Sequence, residues 1–255
     1  MFSSAKKGIR RWLARPSPGH DEDRTVGAGT RFVIFGQGRT GSSLLRSLLN
    51  SHPAVRCEGE ILADPVEDPV AFVERLAATS TKPVFGFKVK IYQLTDAQQT
   101  DPRAFLDELR KRSYRIVYLR RNNLLRHAIS NEFAEARSSY HDRSEGPRPS
   151  LTIDPQKLIG VMQRRRAHLD REAAILTDFE HVMVEYESDL LHPGRHQPTA
   201  DRLFAYLGLG SAPVGTDLSR SVSGSLADRI ANYDDLAAAL TGTEFGVFLS
   251  DPAYG

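Results

Sequence analysis

Residues Gly36 to Ser43 read Gly-Gln-Gly-Arg-Thr-Gly-Ser-Ser and follow directly on the apolar run Arg31-Phe32-Val33-Ile34-Phe35. The spacing is that of a phosphate-binding loop, G-x-x-x-x-G-K-[ST], with Ser42 standing where the loop lysine belongs. Glycines let the backbone turn tightly enough for successive N–H groups to face an anion, and the helix carrying Leu44, Leu45, Leu48 and Leu49 adds the positive end of its dipole. The chemistry implied is capture of a phosphate-like anion, while the absent lysine argues against hydrolysis of ATP or GTP. The cation within the loop is Arg39, between Gly38 and Thr40. Hydroxyl donors follow around Gly41, in Ser42 and Ser43.

A second set of candidates is Arg120-Arg121-Asn122-Asn123-Leu124-Leu125-Arg126-His127-Ala128-Ile129-Ser130. A guanidinium at the end of a strand offers a bidentate fork, and a serine nine positions after Arg121 adds a hydroxyl, so both can converge on one phosphate. Cations at a helix start oppose the helix dipole, a conflict that a bound anion removes. Positive charge also stands where a nucleotide hydrolase would place a magnesium-binding aspartate. A site that supplies its own cations needs no metal, and the histidines lack metal-ligand spacing.

These groups are positioned by alternating strands and helices. Strands are expected at 31–36, 84–89, 114–119 and 181–184. Helices are expected at 41–51 (ended by His52-Pro53), 71–78, from Asp101-Pro102 to about 111, and from 122 to about 136. Further helices are expected from Asp154-Pro155 through Leu176, up to Leu207, and at 232–240. Segment 134–152 is rich in turn formers and reads as a mobile loop. Alternation of this kind predicts an α/β three-layer sandwich with a central, mainly parallel sheet. The glycine loop then lies at the carboxyl end of the first strand, where such sheets bind ligands.

At 255 residues, with 40% hydrophobic and 26% charged residues, the chain reads as one globular domain over 30–255 behind a basic, flexible tail over 1–29. The net charge of +2 gives no argument for nucleic acid. In the tail, Phe2, Ile9, Trp12 and Leu13 alternate with Lys6, Lys7, Arg10, Arg11 and Arg15, a pattern that on a helix suits peripheral contact of residues 2–15 with an anionic membrane. The plainer reading is a solvated basic terminus. A single cysteine, Cys57, and the lack of a membrane-length apolar run point to a cytoplasmic protein.

Phe35–Leu45 followed by Leu48-Leu49-Asn50-Ser51-His52-Pro53 resembles the 5′-phosphosulfate loop of sulfotransferases that use 3′-phosphoadenosine 5′-phosphosulfate (PAPS). Tyr118 to Ser130 is similar to their 3′-phosphate motif, most of all in the bacterial carbohydrate and lipo-oligosaccharide branch (Nod-factor and trehalose-type enzymes). Val184–Leu190 and Asn232–Thr243 resemble later stretches of the family. The resemblance implies transfer of a sulfuryl group from PAPS to a hydroxyl of a carbohydrate or glycolipid, leaving adenosine 3′,5′-bisphosphate (PAP), with no metal required. It implies that Gly38, Arg39, Thr40, Gly41, Ser42 and Ser43 hold the 5′-phosphate. Arg121 and Ser130 hold the 3′-phosphate, with Arg120 as the alternative, because many members set their arginine eight positions before the serine, where this chain has Asn122. Arg39 is the choice for the leaving-group cation.

Relatives carry a glutamate base shortly after the first helix, here Glu60 first and Glu58 second. Lys88 contacts the sulfonate or else snorkels from a sheet edge. His127 is expected on the adenosine side or in packing. Residues 61–82 and 134–155 are expected to wall the acceptor pocket, with Arg137, Tyr140, His141 and Arg143 suited to a polar sugar. The competing readings are an atypical nucleotide kinase and an anion-binding protein without catalysis.

Overall fold

The computed structural model describes residues 29–139, 150–218, 225–251 and 254. Five strands form one sheet: β1 (Arg31–Gly36), β2 (Val55–Cys57), β3 (Val84–Lys90), β4 (Tyr114–Arg120) and β5 (His181–Glu185). Their order is β2-β3-β1-β4-β5, and every pair is parallel. Seven α-helices connect and cover the described parts: α1 (Ser42–Asn50), α2 (Pro69–Ala78), α3 (Pro102–Lys111), α4 (Leu124–Ser139), α5 (Pro155–Leu176), α6 (His196–Tyr206) and α7 (Tyr233–Thr241).

The run Phe32-Val33-Ile34-Phe35 is wholly buried because β1 lies mid-sheet with both faces covered. Side chains alternate across a strand, so Val33 and Phe35 join Val73, Phe105, Leu106 and Leu109 from α2 and α3 on one face. Phe32 and Ile34 join Leu45, Leu48, Leu203 and Phe204 from α1 and α6 on the other. A separate cluster, including Leu125, Ile129, Leu158, Met162 and Leu236, ties α4, α5 and α7 together beside the sheet.

Three of the helices start on Asp-Pro: the carboxylates of Asp68, Asp101 and Asp154 cap N–H groups at the first turn, and proline follows where its missing N–H costs nothing. The first of these signals starts α2 at Pro69, two residues before the sequence pattern does. Two further differences matter. Val55–Cys57, outside the strands expected from sequence, adds a short strand at the sheet edge. The helix after β4 runs on to Ser139, so residues 134–139 of the expected loop are helical; 140–149, including Tyr140, His141 and Arg143, lie outside the described residues, as do the side chain of Arg137 and the tail 1–28.

The chain leaves β1 toward β2 and β3 on one side and returns to β4 and β5 on the other, so strand order reverses between β1 and β4. That crevice, outside the carboxyl ends of the strands, is where open α/β sheets place ligands. No helix among the described residues is long and apolar enough to cross a membrane.

Candidate functional site

The turn from β1 into α1 forms one wall of that crevice. Gly36 and Gly41 take φ values of 152° and 86° there, and a Cβ on either would meet the Leu119 carbonyl oxygen at 2.2 Å or the Tyr186 ring at 2.6 Å. Arg39 is also left-handed, at φ 66°, a conformation that L-residues adopt at a cost of about 1–2 kcal/mol. Side chains hold the turn in this shape. The Thr40 hydroxyl donates to the Gln37 carbonyl (2.8 Å), His127 Nε2 lies 2.7 Å from the Gly38 carbonyl oxygen, and the Gly38 N–H donates to the Tyr92 hydroxyl (3.2 Å).

A cleft of about 570 Å³ opens over the turn. On the loop side it is lined by Gly38, Arg39, Gly41, Ser42 and Ser43. Thr40 belongs to the loop, but its hydroxyl is turned inward and its side chain is fully buried. From β3 come Lys88 and Lys90, two residues apart and so on one face of the strand; from the turn after β2 comes Glu60. The Lys88 ammonium donates to Ser42 Oγ at 2.6 Å and to Glu60 Oε1 at 2.9 Å, while Lys90 Nζ lies 2.5 Å from Glu60 Oε2. The ammonium that the loop sequence lacks is thus delivered to the loop from the neighbouring strand. The snorkelling reading of Lys88 is overturned, since β3 is interior and Lys88 is 5% exposed.

Burial works to raise the Glu60 pKa, but the charges and hydrogen bonds of Lys88 and Lys90 outweigh it and hold the carboxyl below its ordinary range. For Lys88, burial dominates and lowers the pKa despite Glu60. Glu58 points elsewhere: its carboxylate pairs with Arg56 at 2.7 Å and does not line the cleft.

The wall from β4 and α4 carries Arg121 and Ser130. Arg39 Nε donates to Ser130 Oγ (3.3 Å), and Arg121 donates to the Arg39 carbonyl (3.4 Å), so the two sequence clusters meet. Arg121 lies 4.3 Å from the Tyr186 ring centroid, donates to the Tyr254 hydroxyl at 3.0 Å and faces Glu187 at 3.7 Å. Its Nε is buried without a hydrogen-bond partner. Arg120 turns to Glu185 (3.1 Å) on β5 and stays out of the cleft. Another part of the lining is more apolar, with Tyr186 and Leu190 from a π-turn after β5 (Tyr186–Leu190), Leu191 and Pro193 from the stretch that follows, and His196 from the start of α6.

Four cations (Arg39, Lys88, Lys90, Arg121) against one carboxylate, with loop N–H groups and hydroxyls beside them, suit an anionic ligand. Among the described residues, none from 61–82 lines the cleft; Lys90, Tyr92 and Asn131 contribute to its lining instead. Lys90 was legible as the second charge on one strand face, whereas Tyr92 and Asn131 carried no signal in sequence. His127 is fully buried behind the loop and does not line the cleft; burial, with the Arg165 charge, pushes its pKa well down.

Residues 31–114 match the sulfotransferase family. Loop, Glu60, Lys88 and Lys90 lie inside the matched sulfotransferase segment; Arg121 and Ser130 lie beyond it. A sulfotransferase structure from Alicyclobacillus acidocaldarius superposes with a TM-score of 0.50 at 15% identity, covering 83% of this chain and 94% of that one. At that identity the likeness establishes the fold: a parallel α/β sheet flanked by helices, as in that sulfotransferase. Two weaker likenesses carry no weight: a mouse sulfotransferase complexed with PAP (TM-score 0.48, 11% identity, 86% and 87% coverage) and a shikimate kinase from Bacteroides thetaiotaomicron (0.41, 13%, 71% and 100%). No curated protein matches the sequence.

Proposed function

We propose that the protein transfers a sulfuryl group from PAPS to a hydroxyl of a carbohydrate or glycolipid acceptor. The observation that carries this reading is the convergence of Arg39, Lys88 and Arg121 on a glycine loop without its lysine, with Glu60 beside them in the cleft. When bound, PAPS supplies an activated sulfonate on a phosphate leaving group: the acceptor oxygen bonds to sulfur, the bond from sulfur to the bridging oxygen breaks, and PAP departs.

The roles of the chain follow from charge and position. The loop N–H groups with Ser42 and Ser43 bind the 5′-phosphate. Arg121 and Ser130 bind the 3′-phosphate, Arg121 with its two-pronged guanidinium. The more apolar lining formed by Tyr186, Leu190 and His196 receives the adenine, and the lining formed by Lys90, Tyr92 and Asn131 receives the acceptor. Glu60 takes the acceptor proton. Its lysine neighbours keep it ionised, the form a base requires, and burial keeps its proton affinity from dropping as far as two adjacent ammonium groups alone would bring it. Lys88 and Arg39 offset the negative charge that develops on the leaving oxygen.

Neither an ATP-dependent kinase nor a silent anion-binding protein is favoured. A transfer assay with radiolabelled PAPS against bacterial glycans and glycolipids, run beside thermal denaturation with PAP, tests the reading. The expected results are label on at least one acceptor and a rise in Tm with PAP concentration. A protein stabilised by ATP with magnesium but not by PAP would refute it.

A further inference from the structure

Helix α5 crosses behind the glycine loop and sends Arg165 to its back side. Arg165 Nη1 lies 2.7 Å from His127 Nε2, 3.4 Å from the Gly38 carbonyl oxygen and 3.5 Å from Gln37 Oε1, while the Gln37 side-chain amide donates to the Arg165 carbonyl at 3.2 Å. Among the described residues no carboxylate lies within ion-pair distance of Arg165, and its Nε is buried without a partner. Burial, with the nearby Arg121 and Arg39 charges, lowers its pKa to about 10, so it is still a cation at neutral pH.

We propose that Arg165 is a positioning residue that clamps the Gly38–Arg39 peptide from behind, so that its N–H rather than its carbonyl faces the anion. In a trans peptide the carbonyl and the following N–H point in opposite directions. A Gly38 carbonyl bound from the α4–α5 side therefore turns the Arg39 N–H the other way. This peptide needs a clamp, because it precedes a left-handed arginine and follows a glycine, the place in the loop where a flip is least opposed by sterics.

His127 alone does not suffice. With its proton on Nε2 it donates to Gly38 but meets the Arg165 Nη1 donor at 2.7 Å; with its proton on Nδ1 it accepts from Arg165 and presents a lone pair to the Gly38 carbonyl. Arg165 leaves the Gly38 carbonyl with a donor in either tautomer. Its charge also adds positive potential behind the loop that no carboxylate among the described residues cancels.

The inference rests on the loop being the donor-phosphate site, and two measurements separate the two readings. The first is PAP affinity by calorimetry in wild type, R165L and R165K. R165L is expected to bind about tenfold to hundredfold more weakly, the scale of one charge-assisted hydrogen bond, with R165K recovering part of the loss. In steady state, KM for the donor rises while KM for the acceptor holds. The second is the Arg39 amide ¹⁵N chemical shift in ligand-free wild type, R165L and R165K, which reports the peptide orientation whether or not PAP binds. A shifted resonance in R165L, restored toward wild type in R165K, supports the clamp even where wild type fails to bind PAP, an outcome that would sink the donor reading alone. An Arg39 resonance in R165L identical to wild type, or, where wild type binds PAP, an equal affinity in R165L, overturns the clamp.

Discussion

Glu60 sits between two ammonium groups, and its proposed role makes a pH profile informative. Its folded pKa lies below 4.5 and that of Lys88 below 10.5, so a rate that needs Glu60 ionised and Lys88 protonated has a plateau across neutral pH. The acid limb of kcat/KM is expected below pH 4.5, and the alkaline limb is expected before the ordinary lysine range. E60Q should lose about 10²–10⁴ in kcat, the usual contribution of a positioned base, together with the acid limb. PAP binding in E60Q should be no weaker than in wild type, since the substitution removes a negative charge from an anion site. An E60Q enzyme with normal turnover would assign the base elsewhere. Glu58, tied to Arg56 outside the cleft, predicts no such change.

At the scale of elements, α5 does more than cover the sheet. Two turns beyond Arg165 it carries Glu172, fully buried, whose Oε2 accepts from the Tyr118 hydroxyl at 3.2 Å and whose Oε1 has no partner. Burial raises this carboxyl to about 8 from an unfolded value of 4.5, against the pull of Tyr118 and Gln37. The folded state therefore holds a proton that the unfolded state has released throughout that window. Stability is then greatest at or below about pH 4.5 as far as this group is concerned, and falls as pH rises toward about 8. E172Q, which keeps the shape without the acid, should flatten that decline. Tm measured across the window should drop further in wild type than in E172Q by about 2–4 °C for each kcal/mol involved. Equal drops would show that Glu172 is ionised in the fold.

For the whole molecule, the charge balance is nearly neutral at +2, yet four cations and one carboxylate line the cleft. Polyanion capture should therefore be governed by the local field rather than by overall charge. Screening shortens to about 3 Å in 1 M salt from about 10 Å in 0.1 M, so PAP affinity should fall steeply with added salt. The KM of an uncharged sugar acceptor should change far less. Calorimetry at two salt concentrations checks the first expectation and initial rates the second; a salt-independent PAP affinity would contradict a charge-led site.

Most of the sheet was legible because β1, β3 and β4 each carry an apolar stretch (Phe32–Phe35, Val84–Phe87, Ile116–Leu119), the mark of parallel strands buried on both faces. The Asp-Pro helix starts and the glycine loop were legible for equally local reasons: capping and tight turning depend on neighbours in sequence. Strand β2 was not, because three residues at an edge carry too little pattern to separate a strand from a loop. By itself the sequence determined an anion loop at the end of a central strand, with a second basic cluster after another. Only the tertiary structure decided which members meet. Parallel register sets Lys88 opposite Ile34, so its four-carbon stem reaches Ser42 and supplies the ammonium missing from the loop. Packing of β5 against β4 draws Arg120 to Glu185 and leaves Arg121 to the cleft, and packing of α5 behind the loop turns Arg165 from one charge in a basic run into the neighbour of the Gly38 carbonyl. Each of these depends on contacts between residues far apart in the chain, and local spacing does not encode them.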